Sequence, residues 1–148
     1  MRPLTLFTRV LLVLLLCAVA VCDTQAGQYP LTLKDSLGRE VSLATAPQRL
    51  VCLLSSVTDL LFELDRTEIL VGLSRQDLLN HSALRVPSMG SFFQPDLAAI
   101  TNAKPDLIIA STSQQAMLQP WLDDPQQHTK VLFFREGSLA DGFARMAL

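Results

Sequence analysis

Cysteine is scarce in this sequence and poorly placed for cross-linking. Of three, Cys17 and Cys22 fall in an apolar leader and only Cys52 lies beyond it. Once that leader is removed no internal disulfide can form, even in an oxidising compartment. Cys52, inside the run RLVCLL, reads as a small buried hydrophobe rather than a reactive thiol. Histidine is scarcer still: His81 lies in the polar stretch NHSAL and His128 in DDPQQHTK, neither with a second His or a Tyr beside it. Both read as surface residues rather than metal ligands. The sole tyrosine, Tyr29, precedes the domain. A Gly-x-Ser-x-Gly elbow, a paired metal-ligand motif, a glycine-rich phosphate loop and an acid–base couple are all missing. A small secreted α/β enzyme would have only strand-end serines and two histidines to work with, which disfavours catalysis.

An apolar run of bilayer length is also lacking. Val10 to Val21 (VLLVLLLCAVAV), flanked by Arg2 and Arg9, is too short for a comfortable membrane span and reads as the core of a signal peptide. Thr24 and Ala26 supply the small-x-small pattern that a signal peptidase accepts, so residues 1–26 are expected to be removed and 27–148 to form one domain. Cys22 offers an alternative fate as a lipid attachment site, although Val21 is larger than the residue usual before such a cysteine. Loss of Arg2, Arg9 and Asp23 takes 12 basic and 14 acidic residues to 10 and 13, a net charge of −3. Nothing in that balance invites nucleic acid.

What remains alternates between strand and helix patterns. LTLKDSLGREVSL has apolar and polar residues in alternation on both sides of Leu37-Gly38, as for a β-hairpin that opens the domain. Arg49 to Leu54 is a continuous apolar run between Pro47 and Ser55-Ser56, suited to a strand buried on both faces of a parallel sheet. SSVTDLLFELD follows with Val57, Leu60, Leu61 and Leu64 at helical spacing and Ser56 with Asp59 as a capping-box pair. Further strands are expected at Glu68–Leu73, Asp106–Ala110 and KVLFF, with a helix over SQQAMLQPWL in which Trp121 packs with Met117 and Leu118. The fold class is therefore α/β, a parallel-sheet lobe with flanking helices, whose ligands approach the carboxyl ends of the strands. GSLADGFARMAL, with Ser138 and Asp141 in capping-box spacing, reads as a helix still under way at Leu148.

Taken in order, LTLKDSLGREVSLATAPQRLVCLLSSVTDLLFEL, ILVGLSRQD, VPSMGSFFQPDLAAITNAKPDLIIAS and KVLFF resemble the periplasmic substrate-binding proteins of ABC importers for iron-siderophores, haem and vitamin B12. The likeness runs from about Leu31 to Leu148. It is carried by Asp35-x-x-Gly38-Arg39, Pro47-x-Arg49-Leu50-Val51, Val71-Gly72, Gly90-x-Phe92-x-x-Pro95-x-Leu97 and Lys104-Pro105-Asp106-Leu107-Ile108. The resemblance implies two α/β lobes joined by a long helix, with ligand held between them and handed to an inner-membrane permease. Only the first lobe is expected here, the end of the chain being the opening turns of the connecting helix. A truncated or partner-dependent fragment without activity of its own is the competing expectation.

On this likeness the cargo, an iron-siderophore, haem or a cobalamin-like chelate, would meet residues at the strand ends. Phe92 and Phe93, on the Gly90-Ser91 turn, would lie against a flat or greasy chelate, unless they plug the core. Ser55 and Ser56 open a helix whose free amides suit an anionic group, or serve simply as an N-cap. Arg75 offers a forked contact to a carboxylate or phenolate, or is a solvated surface residue. Ser111 ends the third strand on the same side. The family's Pro-x-Leu-Glu helix usually presents a glutamate to permease arginines. Here that position is Ala98, and Asp96, two residues away, is the only nearby acid.

Overall fold

A computed structural model describes residues 29–124 and 128–135. The expected signal peptide, residues 1–26, and the expected closing helix from Ser138 lie outside the described residues. Two strands, β1 (Leu31–Lys34) and β2 (Glu40–Leu43), pair antiparallel, with Leu31 opposite Leu43 and Lys34 opposite Glu40. The turn between them is built by Asp35. Its carboxylate accepts from the amides of Leu37 and Arg39, each at 3.0 Å, and from the Arg39 guanidinium at 2.9 and 2.6 Å. Gly38 follows at φ +80°, a conformation that costs a residue without a Cβ little.

Four parallel strands form the central sheet: β3 (Leu50–Cys52), β4 (Leu70–Leu73), β7 (Leu107–Ser111) and β8 (Lys130–Phe134), in the spatial order β4-β3-β7-β8. Between β4 and β7 the chain makes a short hairpin of β5 (Gly90–Ser91) and β6 (Gln94–Pro95). The helices are α1 (Ser55–Glu63), α2 (Arg75–Asn80), α3 (Leu97–Ala103) and α4 (Gln115–Asp123). None among the described residues is long and apolar enough to cross a membrane.

The unbroken apolar runs of the sequence are explained by burial on both sheet faces. Leu50, Cys52, Leu107, Ile109 and Leu132 face one core with Val57 of α1 and with Val41 and Leu43 of the hairpin. Their neighbours Val51, Ile108, Ala110, Val131 and Phe133 face a second core with Ile100 of α3 and with Leu118 and Trp121 of α4. Side chains that alternate between faces at period two thus each find an apolar partner layer. Full burial of residues such as Ile108, Leu118 and Phe133 stabilises the fold by about 1.5–3 kcal/mol each.

Several expectations change in detail. The second parallel strand begins at Leu70, not Glu68, because Thr67–Ile69 form a single 3-10 turn. Helix α2 was not anticipated at all. The Ser56–Asp59 capping box does not form: Leu54 is the N-cap, with no side-chain cap, and its carbonyl takes the amides of Val57 and Thr58. Tyr29 does not stand ahead of the domain but packs, partly buried, against the first core.

Candidate functional site

The strand order places a switch at the carboxyl ends of β3 and β7. The chain leaves β3 to one side for β4, then returns past it to β7 and β8. Loops that leave two neighbouring strands in opposite directions open a crevice at that edge, where ligands of such sheets bind. Ser55 and Ser56 follow β3 there, half-buried and exposed respectively. Arg75 follows β4 one residue after Ser74, is exposed, and forms no ion pair among the described residues. Ser111 ends β7, yet it is only 1% exposed and its hydroxyl is occupied, bonding the Ser113 hydroxyl at 2.9 Å and accepting from the Ser113 amide at 3.3 Å. Of the predicted contacts, Ser111 is the one whose polar group is turned inward.

The crossover after β4 brings the aromatic pair to the same edge. Ser88 bridges in parallel with Leu73, and the Met89 amide donates to the Leu73 carbonyl at 2.8 Å, so this segment extends the sheet beyond β4. Met89 fills the space over Gly72, where a Cβ would stand 2.3 Å from the methionine methyl. Gly90 then turns the chain at φ +86°, and a Cβ there would meet the Gln94 carbonyl oxygen at 2.5 Å. Phe92 and Phe93 form the two-residue tip between Ser91 and Gln94. Their rings meet edge to face at 5.1 Å. Phe92 is half-buried and Phe93 is 82% exposed, so neither belongs to a core cluster. The tip is nonetheless held: the Gln94 amide donates to the Ser91 hydroxyl at 3.1 Å and the Gln114 side-chain amide to the Phe92 carbonyl at 2.8 Å.

Asp96 is committed elsewhere. As N-cap of α3 it accepts from the Ala99 amide at 2.9 Å, a structural duty beside exposed Ala98. His81, read from sequence as a plain surface residue, is a tie between helices: its Nε2 lies 2.8 Å from Asp59 Oδ1 and its ring stacks on Phe62 at 3.8 Å. Asp77, unnoticed in the sequence, is fully buried beneath the same edge, accepting from the Ser74 hydroxyl at 2.8 Å and the Thr58 hydroxyl at 3.4 Å, with Oδ1 unpartnered. The regular Ser-x-x-Asp spacing of Ser74 and Asp77 was the signal that could have revealed both the helix and its cap. Burial pushes the Cys52 thiol up to about 11, against partial relief from hydrogen bonding by the Thr58 side chain and the Leu54 backbone, which makes it unreactive at neutral pH. No group of three or more His, Cys, Asp or Glu among the described residues is gathered as for a metal ion.

A cavity of about 350 Å³ opens at the opposite, amino-terminal edge of the sheet, lined by Leu43, Pro47, Asp106, His128 and Lys130 among others. The Asp106 carboxylate there is engaged by the amides of Gln48 at 2.7 Å and Arg49 at 3.1 Å. That leaves the carboxyl-end edge as the candidate site.

No family model matches the chain. It is similar to an uncharacterised ABC transporter substrate-binding lipoprotein of Bacillus subtilis, 26% identical over 98 residues, 64% of this chain and 31% of the relative. Among solved structures it resembles the iron uptake ABC transporter substrate-binding protein of Streptococcus pneumoniae with a TM-score of 0.59 and 28% identity, over 71% of this chain and 36% of that one. The petrobactin-binding protein of Bacillus subtilis, at TM-score 0.59 and 23% identity, matches 70% of this chain and 36% of its own, and shows the fold. The chain therefore spans about a third of the length of the relatives it matches. Its fold is that of one α/β lobe of such binding proteins, and the proteins it resembles are named for transport rather than catalysis.

Proposed function

We propose that residues 27–148 form the amino-terminal lobe of a periplasmic substrate-binding protein that captures a metal chelate, an iron-siderophore, haem or a cobalamin-like compound, and hands it to an inner-membrane ABC permease. Residues 1–26 would direct export, with Cys22 as a lipid anchor where the signal is processed as a lipoprotein's. The observation that carries this reading is the Phe92–Phe93 tip: a hydrogen-bonded hairpin at the carboxyl ends of parallel strands holds an 82% exposed phenyl ring in solvent. A flat chelate gains contact area from a rigid aromatic wall of this kind. Exposed Arg75 and the α1 entrance at Ser55-Ser56 add a cation and free amides for the anionic groups such chelates carry.

Taken by itself, a single lobe supplies one wall of a cleft, and residues 27–148 alone are expected to bind in the micromolar range. Tryptophan fluorescence of the full chain, titrated with haem, cyanocobalamin and ferric catecholate and hydroxamate chelates, tests the reading. Saturable quenching by one of them supports it. A folded chain that binds none of them would sink it.

A further inference from the structure

Gln114 has a side chain with two duties. It is 0% exposed at the foot of α4, where its Oε1 accepts from the Ser111 amide at 2.9 Å and its Nε2 donates to the Phe92 carbonyl at 2.8 Å. The first bond completes the capping box that Ser111 begins. A glutamate at this position would complete that box equally well, because only an acceptor is needed. The second bond needs a donor, and a carboxylate has none. Nor is the orientation of the amide in doubt, since the Ser111 N–H can only donate and the Phe92 carbonyl can only accept. The box thus accounts for one end of the side chain, and the aromatic tip, 22 residues away in sequence, accounts for the other.

We propose that Gln114 is the positioning residue that fixes the Phe92–Phe93 tip over the carboxyl end of β7 and so sets the spacing between the aromatic wall and the rest of the binding edge. This rests on the reading of the tip as a cargo contact. The hairpin has two register pairs, Gly90 with Pro95 and Ser91 with Gln94, and is tied at its base where the Asp96 amide donates to the Met89 carbonyl at 2.9 Å, a short ladder that leaves the tip beyond it little support of its own. A buried amide anchored to the end of a fully buried strand supplies what the ladder lacks. Loss of the bond would let the tip swing while the sheet beneath it stays intact.

The test compares Gln114→Glu, which keeps the box acceptor but turns an oxygen toward the Phe92 carbonyl, with Gln114→Met, which loses both bonds. Hydrogen exchange of the full chain, read by mass spectrometry on the peptide covering residues 88–96, reports the tip directly. Both variants are expected to raise exchange there on the order of tenfold, Gln114→Glu at a pH high enough to ionise its buried carboxyl. When the pH is lowered enough to protonate the new carboxyl, its O–H can donate to Phe92. The Gln114→Glu tip should then return toward wild type at the same pH, and the Gln114→Met tip should not. A purely structural loss would show no such reversal. Affinity for haem or ferric catecholate, whichever the wild type binds, should fall on the order of tenfold in step with tip exchange. If Gln114→Met fails to fold, Gln114→Glu, with its box intact, carries the test. Unchanged tip exchange in a folded Gln114→Glu chain, at a pH high enough to ionise the buried carboxyl, overturns the positioning role whatever binds. Raised exchange with the acid reversal, beside a wild type that binds neither probe, upholds the positioning role and overturns the cargo reading instead.

Discussion

Replacing Phe93 by alanine separates a core residue from a contact residue. With 82% of Phe93 exposed, deletion forfeits under a fifth of the burial that a core phenylalanine would contribute. At about 2–3 kcal/mol for full burial, that is ~0.5 kcal/mol, with a comparable amount for the exposed edge contact to Phe92. The thermal midpoint should therefore move by no more than about 6 °C. Binding should respond differently, because a chelate laid on the ring buries most of what solvent now sees. Roughly 2 kcal/mol of lost contact corresponds to about a thirtyfold weaker dissociation constant. Calorimetric melting of wild type and Phe93→Ala, run beside fluorescence titrations with the cargo that the wild type binds, measures both. A melting loss well above 10 °C would mean that the ring packs in the core. Superimposable titration curves would remove Phe93 from the site.

Gly90→Ala should destabilise by about 1–3 kcal/mol and raise exchange in the hairpin, since its φ of +86° and the Gln94 carbonyl 2.5 Å from the new Cβ both oppose a side chain. Urea titration reads that loss. Asp35→Ala should cost about 1–3 kcal/mol in the same assay, because it removes the buried carboxylate that holds two turn amides and the part-exposed Arg39, which water can then solvate; a loss below about 1 kcal/mol would refute this account of the turn. For Cys52, the folded thiol titrates near 11 and the unfolded one near 9, so between those pH values the unfolded state holds fewer protons. Stability should then fall as pH rises through that window, by about 1.4 kcal/mol per unit at most, and a Cys52→Ala variant should lack that part of the slope. Peptide mapping after alkylation at pH 8 should find Cys52 unmodified in the folded chain and modified in denaturant.

The sheet was legible because its strands are buried on both faces, so RLVCLL, DLIIA and KVLFF appear as unbroken apolar runs that no surface helix would carry. Helix α2 was not, for the opposite reason. Its six residues, RQDLLN, have no room for an apolar period, and its anchor is the buried polar pair Ser74 and Asp77. The α1 capping box fails because the helix starts at Ser55 and places Ser56 inside its first turn, while Asp59 pairs with His81, 22 residues on in the sequence. Local spacing carries no information about a partner that distant. The exposure of Phe93 was equally invisible, since two adjacent aromatics read the same whether they plug a core or crown a hairpin.

The residues that carry the family resemblance are almost all occupied in holding the lobe together. Asp35 and Arg39 close the hairpin turn, and the same guanidinium donates to the Val131 carbonyl at 2.8 Å and lies over the Phe133 ring, fastening the hairpin to β8. Arg49 donates to the carbonyls of Lys104 and Ala103 at 3.0 and 2.7 Å, capping the end of α3, while Asp106 binds the backbone ahead of β3 in return. Pro47-x-Arg49 and Lys104-Pro105-Asp106 are thus two halves of one clasp between neighbouring strands. Side chains spent on such bonds are committed to the fold. On the proposed reading, recognition falls to exposed side chains at the carboxyl edge, chiefly Ser56, Arg75 and Phe93, whose replacement would leave the clasp and the turn undisturbed. In a lobe built this way the motifs specify the architecture, and the proposed choice of cargo is left to the edge.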